Sequence, residues 1–222
     1  MPGRLLPREF FEARTEWVAP RLLGKLLVHR AGDTAMVGRI VEVEAYLGPH
    51  NDPKDAAAHS HRGPTPRNLV LFGPPGYTYV YSIYGRYFCL NFSCETEGQA
   101  GGVLLRALEP VSGIKEMAVN RGLPPRMERT GAFLQQLTTG PSRLCQALGV
   151  TRTMHNGLDV TSAKSPLQVR DDGFEVEEAF VSPRIGINES NAAVDWPLRF
   201  AVPDNRFVSG PKNLKGKRVR IP

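Results

Sequence analysis

The segment from Tyr77 to Cys94 constrains the fold more than any other part of the chain. Its sequence, YTYVYSIYGRYFCLNFSC, contains two runs rich in aromatic and β-branched residues, which are typical of extended strands. The pair Tyr84-Gly85 between the runs favours a tight turn, because glycine tolerates a positive φ. The segment therefore predicts a protruding β-hairpin.

A further strand is predicted over MVGRIVEVEAYLG, where apolar and polar residues alternate. A period of two puts Glu42, Glu44 and Tyr46 on one face of this strand, and the intervening valines and alanine on the other. We expect the strand to be half-buried, with its apolar face toward the core.

The rest of the chain predicts a mixture of helices and short strands. PREFFEARTEWVAPRLLGKLL is expected to be helical with a break at Pro20, and PHNDPKDAAAHSHRGPTPRN is expected to be a loop. Helices are predicted over VSGIKEMAVNRG and SRLCQALGV, the second with Ser142 as its N-cap. Other strands are predicted over GGVLLRALEP, LQVR, RIGI and LRFAV. Strands outnumber helices, which indicates an α+β domain on a curved, largely antiparallel sheet.

Length and composition limit the domain organisation. A chain of 222 residues can form one substantial core but is short for two domains. Its three cysteines follow no disulfide pattern, which favours a reducing cytoplasm. We find neither a secretory signal nor an apolar run of about 18 residues, and therefore expect no membrane association.

The formal net charge of +6 is concentrated at the C-terminus. No acidic residue follows Asp204, whereas the basic residues after it are Arg206, Lys212, Lys215, Lys217, Arg218 and Arg220. We therefore divide the chain into a neutral domain, residues 1–204, and a basic tail, residues 205–222. Such a tail can bind a polyanion or can merely aid solubility, and charge alone leaves both open.

All six tyrosines lie between residues 46 and 87. Clustered aromatic residues near basic ones are typical of proteins that stack nucleobases, although strands favour aromatic residues in any case.

Glu42 and Glu44 share a strand face with Tyr46, and they either face solvent or take part in a reaction beside Tyr46. Arg106 lies in an apolar run and needs a partner if it is buried, so a catalytic or purely structural pair with Glu44 is expected.

We expect neither a metal nor a cofactor. His59 and His61 combine with Cys89 and Cys94 in no strong ligand spacing. The signatures of zinc deaminases, P-loops, Rossmann folds and serine-hydrolase elbows are not found in the sequence.

Several blocks resemble the alkyladenine (3-methyladenine) DNA glycosylase family: RIVEVEAYLG, AAHSHRGPTPRN, YVYSIYGRYFCLNFS, GVLLRALEP, GPSRLCQALGV and PRIGI. The resemblance implies a single mixed α/β domain with no helix-hairpin-helix element. It also implies excision of alkylated or deaminated purines, such as 3-methyladenine, 7-methylguanine and hypoxanthine, from double-stranded DNA.

The resemblance further implies roles for single residues. Glu44 would activate the attacking water, which Arg106 and the backbone carbonyl of Ile185 would help to hold. Tyr84 would fill the gap left in the duplex. Glu42 shares the strand face but lies one step further from Tyr46 than Glu44 does, so from its position we expect it to be dispensable. The residues implied to line the base pocket are Tyr46, His59, Tyr81 and Asn91. Further contacts to DNA are expected from Arg67, Arg86, Lys212, Lys215, Lys217 and Arg218.

One stretch departs from the family pattern. LGPHNDPKDAAA is several residues longer than the usual spacing, so His61 could replace His59, although the alanine run favours His59. No lysine occupies a pocket motif, and Lys54, in this loop, is the nearest one, so we expect hydrolysis without a lyase step. We also expect the protein to act as a monomer. One alternative is a non-catalytic module that binds nucleic acid, and Glu44 is the residue that distinguishes an enzyme from such a module. The other alternative is a hydrolase that acts on free nucleosides.

Overall fold

A computed structural model describes residues 3–32, 34–124, 130–211 and 215–221. In this part of the chain the strands form one open, antiparallel sheet in the order β1-β7-β2-β3-β6-β5-β4, and β9, β8 and β10 continue from β3. The strands are β1 (Arg4–Leu5), β2 (Leu26–Ala31), β3 (Thr34–Tyr46), β4 (Thr78–Ile83), β5 (Tyr87–Cys94), β6 (Gly101–Ser112), β7 (Leu167–Asp171), β8 (Glu178–Ser182), β9 (Arg199–Ala201) and β10 (Lys217–Arg220). The prediction of a largely antiparallel α+β domain is confirmed.

The helices of the described residues are short and pack on this sheet. They are α1 (Thr15–Arg21), α2 (Ile114–Asn120), α3 (Gly131–Thr138), α4 (Pro141–Ala147) and α5 (Arg152–His155). Within this part of the chain, no helix has the length and apolar character that crossing a bilayer requires.

Four local predictions differ from the structure. Pro20 lies inside α1, and Leu26, predicted as helical, begins strand β2. The N-cap of α4 is Gly140 rather than Ser142, because Pro141 occupies the first helical position, where a missing N–H costs nothing. The segment RIGI is bent rather than extended, since Pro183 precedes it and Gly186 adopts a φ of +83°.

Strand β3 lies at the centre of the sheet, and the prediction that it is half-buried is wrong for its C-terminal half. Glu42 and Glu44 are both 0% exposed. Their face is covered by the segment that contains Ile185 and by the segment that contains Ser209, and each segment donates a backbone N–H to one of the two carboxylates. The alternating pattern identified the strand, but it did not reveal the two distant segments that cover its polar face.

The hairpin of β4 and β5 agrees with the prediction. Ile83 pairs with Tyr87, and the three residues between them form the turn. Tyr84 and Gly85 adopt φ values of +49° and +72°, a backbone that glycine tolerates readily and tyrosine does not. The side chain of Tyr84 is 90% exposed at the tip.

Candidate active site

Glu44 lies near the end of β3 with three donors around its carboxylate. Oε1 accepts a hydrogen bond from the backbone N–H of Ile185 at 2.7 Å and lies 3.1 Å from Nη1 of Arg106. Oε2 accepts from the hydroxyl of Tyr46 at 3.0 Å. Burial and the neighbouring Glu44 carboxylate raise the pKa of Tyr46 well above its usual value, so this hydroxyl stays protonated and is the hydrogen-bond donor. The carboxylate is therefore held in one orientation.

The expected pair between Glu44 and Arg106 is present, and it belongs to a larger buried network. Arg106 also donates from Nε to Glu42 at 3.0 Å, and Glu42 accepts from Nε of Arg199 at 2.7 Å. The backbone N–H of Ser209 donates to the other oxygen of Glu42 at 2.6 Å. Glu42 is thus a buried counterion of two arginines, not a surface residue.

A cavity of about 220 Å³ has Tyr46 in its wall. Its other lining residues are Ala57, Ala58, His59, Ser60, Leu71, Tyr79, Tyr81, Asn91, Gly102, Gly186 and Ile187. The four residues that the resemblance assigned to a base pocket therefore lie together. Because Tyr46 both lines the cavity and bonds to Glu44, the cavity and the carboxylate belong to one site.

The ring of His59 packs against the tyrosines of β4. Its centroid lies 4.5 Å from that of Tyr81 with the planes at 72°, and its Nδ1 lies 3.0 Å from the hydroxyl oxygen of Tyr79. Burial, and to a smaller degree the charge of Arg67, lower the pKa of His59, so the ring is neutral near pH 7. His61, the alternative left open by the sequence, is not among the lining residues.

Asn91 enters the cavity from β5. Its amide nitrogen donates to the backbone carbonyl of Tyr79 at 3.0 Å, which fixes the orientation of the side chain. Tyr79 itself is a pocket residue that sequence reasoning missed, because its position in a strand seemed to explain it. Its spacing of two residues from Tyr81 was the available signal, since alternate residues of a strand share a face.

A second buried ion pair joins three of the segments that line the cavity. Arg184 donates to both carboxylate oxygens of Asp55, at 2.6 and 2.8 Å, and to the carbonyl of Ala45 at 2.9 Å. Asp55 in turn accepts from the backbone N–H of Leu47 and of Ala57, each at 3.0 Å. The Arg184 guanidinium also lies 4.5 Å from the centre of the Tyr46 ring. No local pattern in the sequence could have identified this pair, whose members are 129 positions apart.

The residues expected to contact DNA lie in two regions. Arg67 and Arg86 are exposed near the cavity and the hairpin, with Arg67 5.9 Å from the centre of the Tyr81 ring and Arg86 4.9 Å from that of Tyr87. Lys215, Lys217 and Arg218 are exposed at and beside β10, which pairs with β8. Lys212 lies outside the described residues.

The segment after Asp204 packs on the sheet where it is described. Phe207 and Ser209 are buried, and β10 extends the sheet. Arg218 forms an ion pair with Asp204 at 2.5 Å, so its charge is partly neutralised. Among the described residues, no group of three or more histidine, cysteine, aspartate or glutamate side chains has the arrangement of a metal site.

Comparison with known proteins gives the family of the chain. The family model described as methylpurine-DNA glycosylase matches residues 9–206. The chain belongs to the methylpurine-DNA glycosylase family. A relative from Koribacter versatilis is 52% identical over 209 residues, which cover 94% of this chain and 95% of the relative. Relatives from Rhodopseudomonas palustris (45% identity; 94% and 90% covered) and Alkaliphilus oremlandii (42%; 92% and 98% covered) also match. All three carry the provisional name 3-methyladenine DNA glycosylase.

Membership of the methylpurine-DNA glycosylase family gives the reaction class. The chain is a DNA-repair hydrolase that cleaves N-glycosyl bonds, as the sequence predicted. The family match ends at residue 206, three positions before Ser209, whose backbone completes the network around Glu42.

Proposed function

We propose that this glycosylase rotates alkylated or deaminated purines of the 3-methyladenine, 7-methylguanine and hypoxanthine class out of double-stranded DNA. It then hydrolyses the N-glycosidic bond with a water activated by Glu44 and leaves an abasic site. The observation that carries the proposal is the aromatic cavity whose wall residue Tyr46 donates directly to the Glu44 carboxylate.

The cavity suits one base. Its volume of about 220 Å³ is below the range of roughly 300–1,000 Å³ of sites for drug-sized ligands. Stacking against aromatic rings contributes about 1–3 kcal/mol per base. A purine that carries the positive charge of alkylation gains further from the electron-rich faces of Tyr46 and Tyr81. Asn91, whose amide is fixed by Tyr79, would oppose the exocyclic 2-amino group of unmodified guanine.

Access to a base within a duplex requires the nucleotide to rotate out, at a cost of a few kcal/mol. Tyr84 at the exposed hairpin tip would occupy the vacated stack. The neighbouring cations Arg67 and Arg86 would contact phosphates beside the lesion, while Lys215, Lys217 and Arg218 would bind DNA further away. We further propose that one copy of the chain suffices for the reaction.

Glu44 would deprotonate the water and stabilise the positive charge that develops on the sugar. Arg106 and the N–H of Ile185 hold Oε1, Tyr46 donates to Oε2, and about one of the four lone-pair sites of the carboxylate is left for a water. The backbone carbonyl of Ile185 remains our proposed second contact for that water. Within the part of the chain that the structure describes, no lysine lines the cavity, and we therefore propose hydrolysis without a lyase step.

The test is incubation with duplexes that each carry one defined lesion. Released base is measured by chromatography, and abasic sites are measured by strand cleavage in alkali. We expect release of at least one alkylated purine, no cleavage before alkali, and no adduct with DNA on borohydride reduction. A chain that binds these duplexes without releasing any base would be a binding module, and the proposal would be wrong.

A further inference from the structure

The side chain of Glu42 connects four separate parts of the chain. It is 0% exposed. One of its oxygens accepts from Nε of Arg106 on β6 and from Nε of Arg199 on β9, and the other accepts from the backbone N–H of Ser209. A buried carboxylate with three donors is fully compensated, so its position is strongly determined.

Arg106 is shared between two carboxylates. Its Nε donates to Glu42, while its Nη1 lies 3.1 Å from Oε1 of Glu44. The guanidinium group is planar and rigid, so fixing Nε fixes the direction in which the Nη atoms point. The contact between Arg106 and Glu44 therefore depends on the position of Glu42.

Arg199 and Ser209 hold the other side of Glu42. Arg199 is buried and donates to the hydroxyl of Ser182 at 2.9 Å and to the carbonyl of Ser209 at 3.0 Å. The hydroxyl of Ser209 also accepts from Nη2 of Arg106 at 3.3 Å. The network thus contains two carboxylates and two guanidinium groups, and it carries no net charge.

We infer that Glu42 is a positioning residue for base excision: with Arg199 and Ser209 it holds Arg106 against Glu44 and sets the charge balance around that carboxylate. The inference rests on the proposed role of Glu44 as the base. It replaces the expectation that Glu42 is dispensable, which was based on its position one step further from Tyr46 along the strand face.

The other groups that face Glu44 do not change this balance. They are Tyr46 on β3, Tyr81 on β4 and Cys89 on β5, together with Arg184 beside Tyr46. Burial raises the pKa of each tyrosine and of the cysteine, so all three stay neutral. Arg184 is already paired with Asp55. Among the described residues, the charged members of the network around Glu44 are therefore Glu42, Arg106 and Arg199.

The experiment compares substitutions that remove a charge with substitutions that keep it. The single-turnover rate of base release is measured against pH in Glu42→Gln, Glu42→Asp, Arg199→Gln and Arg199→Lys. Thermal melting and affinity for lesion DNA are measured in parallel. In Arg199→Gln each carboxylate keeps at least two donors, so we expect this variant to fold, and thermal melting checks that it does.

Glu42→Gln leaves an excess of positive charge near Glu44, so the acidic limb of the profile should move to lower pH by roughly one pH unit. Arg199→Gln should move the limb to higher pH by a similar amount. Glu42→Asp and Arg199→Lys should leave the limb in place. Glu42→Asp should also slow base release about 10²-fold, because the shorter side chain shifts the contact of Arg106 with Glu44 without removing a charge, and lesion affinity should be unchanged.

A structural role alone would lower the melting temperature of the variants without moving the limb, and an unmoved limb in Arg199→Gln would overturn the inference. Glu44→Gln separates this failure from failure of the proposed function. If Glu44→Gln were fully active, Glu44 would not be the base, and the proposed mechanism itself would be wrong.

Discussion

The backbone N–H of Ile185 donates to Oε1 of Glu44 over 2.7 Å, although the two residues are 141 positions apart in the chain. The bond depends on the bend between Pro183 and Gly186, which turns this N–H toward β3. A backbone donor cannot lose its proton at any working pH. One of the donors that hold the carboxylate is therefore independent of pH and of the side chain at position 185.

Replacement of Glu44 by Gln should slow base release by at least about 10²-fold, because a positioned general base contributes roughly 10²–10⁴-fold. Arg106 keeps Glu42 as a partner, so the variant should fold and bind lesion DNA. Single-turnover kinetics and DNA affinity check this. Glu109→Gln is the matched control: Glu109 lies on β6, bonds to Asn205, and should be near wild type. Equal losses in both variants would argue against a special role for Glu44.

Local patterns predicted the parts of the fold that repeat regularly. The hairpin was identified from its aromatic and β-branched runs, β3 from its alternation of apolar and polar residues, and β6 from the apolar run after a glycine pair. Strand β10 was missed because its sequence, KRVR, has no apolar face, and all four of its side chains are exposed. Its pairing with β8 depends on backbone hydrogen bonds that composition does not encode.

The candidate site shows the same division. The resemblance supplied four of the residues that line the cavity, because each of the four lies in an unusual motif. It did not supply the partners that hold them. Glu42 looked like a neighbour of Glu44 on a half-exposed strand, and its role depends on Arg199 and Ser209, which are 157 and 167 positions away. Such contacts arise from the fold as a whole.

Replacement of Tyr84 by Ala should affect paired lesions more than unpaired ones. In a duplex the exposed ring would replace about 1–3 kcal/mol of stacking, equivalent to about five- to 150-fold in rate. A lesion in single-stranded DNA has less stacking to replace and should be released at nearly the wild-type rate. The ratio of the two rates is the measurement. An equal loss on both substrates would mean that Tyr84 does not act as a wedge.

Lys215 and Lys217 should supply affinity that does not depend on the lesion. Replacing both by Ser keeps the backbone pairing of β10 with β8 and removes two charges. The slope of log affinity against log salt should weaken by up to about 1.8, since each phosphate contact contributes about 0.9. Lys115→Ser with Lys164→Ser removes the same charge from other exposed positions. Equal changes for both pairs would show an effect of net charge only.

Stability should fall as the pH is lowered below about 6.5. Burial lowers the pKa of His29, His59 and His155 in the folded protein, so between those values and about 6.5 the unfolded chain binds more protons than the folded chain. The stabilising contribution is therefore complete above about pH 6.5 and is lost as the pH decreases.

Thermal melting between about pH 7 and about pH 5 checks this dependence. His29 and His155 lie with their Nε2 atoms 3.1 Å apart, and Nδ1 of His29 lies 2.6 Å from the Leu148 carbonyl oxygen. The neutral pair therefore needs one Nε2 without a proton. His29→Gln should flatten the pH dependence, and an unchanged slope would assign the effect to other groups.

The pair of Arg184 and Asp55 should stabilise the folded protein far more than a similar pair at the surface. Both side chains are 0% exposed, and the pair is bidentate. Asp55→Asn leaves a buried guanidinium without its counterion, which typically costs about 3–5 kcal/mol. The variant should also bind lesion DNA less tightly, because Asp55 accepts from the N–H of Ala57 and so holds the chain two positions before His59.

Arg39 and Asp172 provide the matched control. Their contact is also bidentate, at 2.9 and 2.8 Å, but the side chains are 17% and 26% exposed. Water can replace the lost contact there, so Asp172→Asn should cost at most about 1 kcal/mol. Urea unfolding of both variants gives the comparison. Adding Arg184→Met to Asp55→Asn removes the unpaired charge, so the double variant should recover part of the lost free energy of unfolding. A double variant no more stable than Asp55→Asn alone would show that Asp55 acts through its bonds to Leu47 and Ala57 rather than by balancing Arg184.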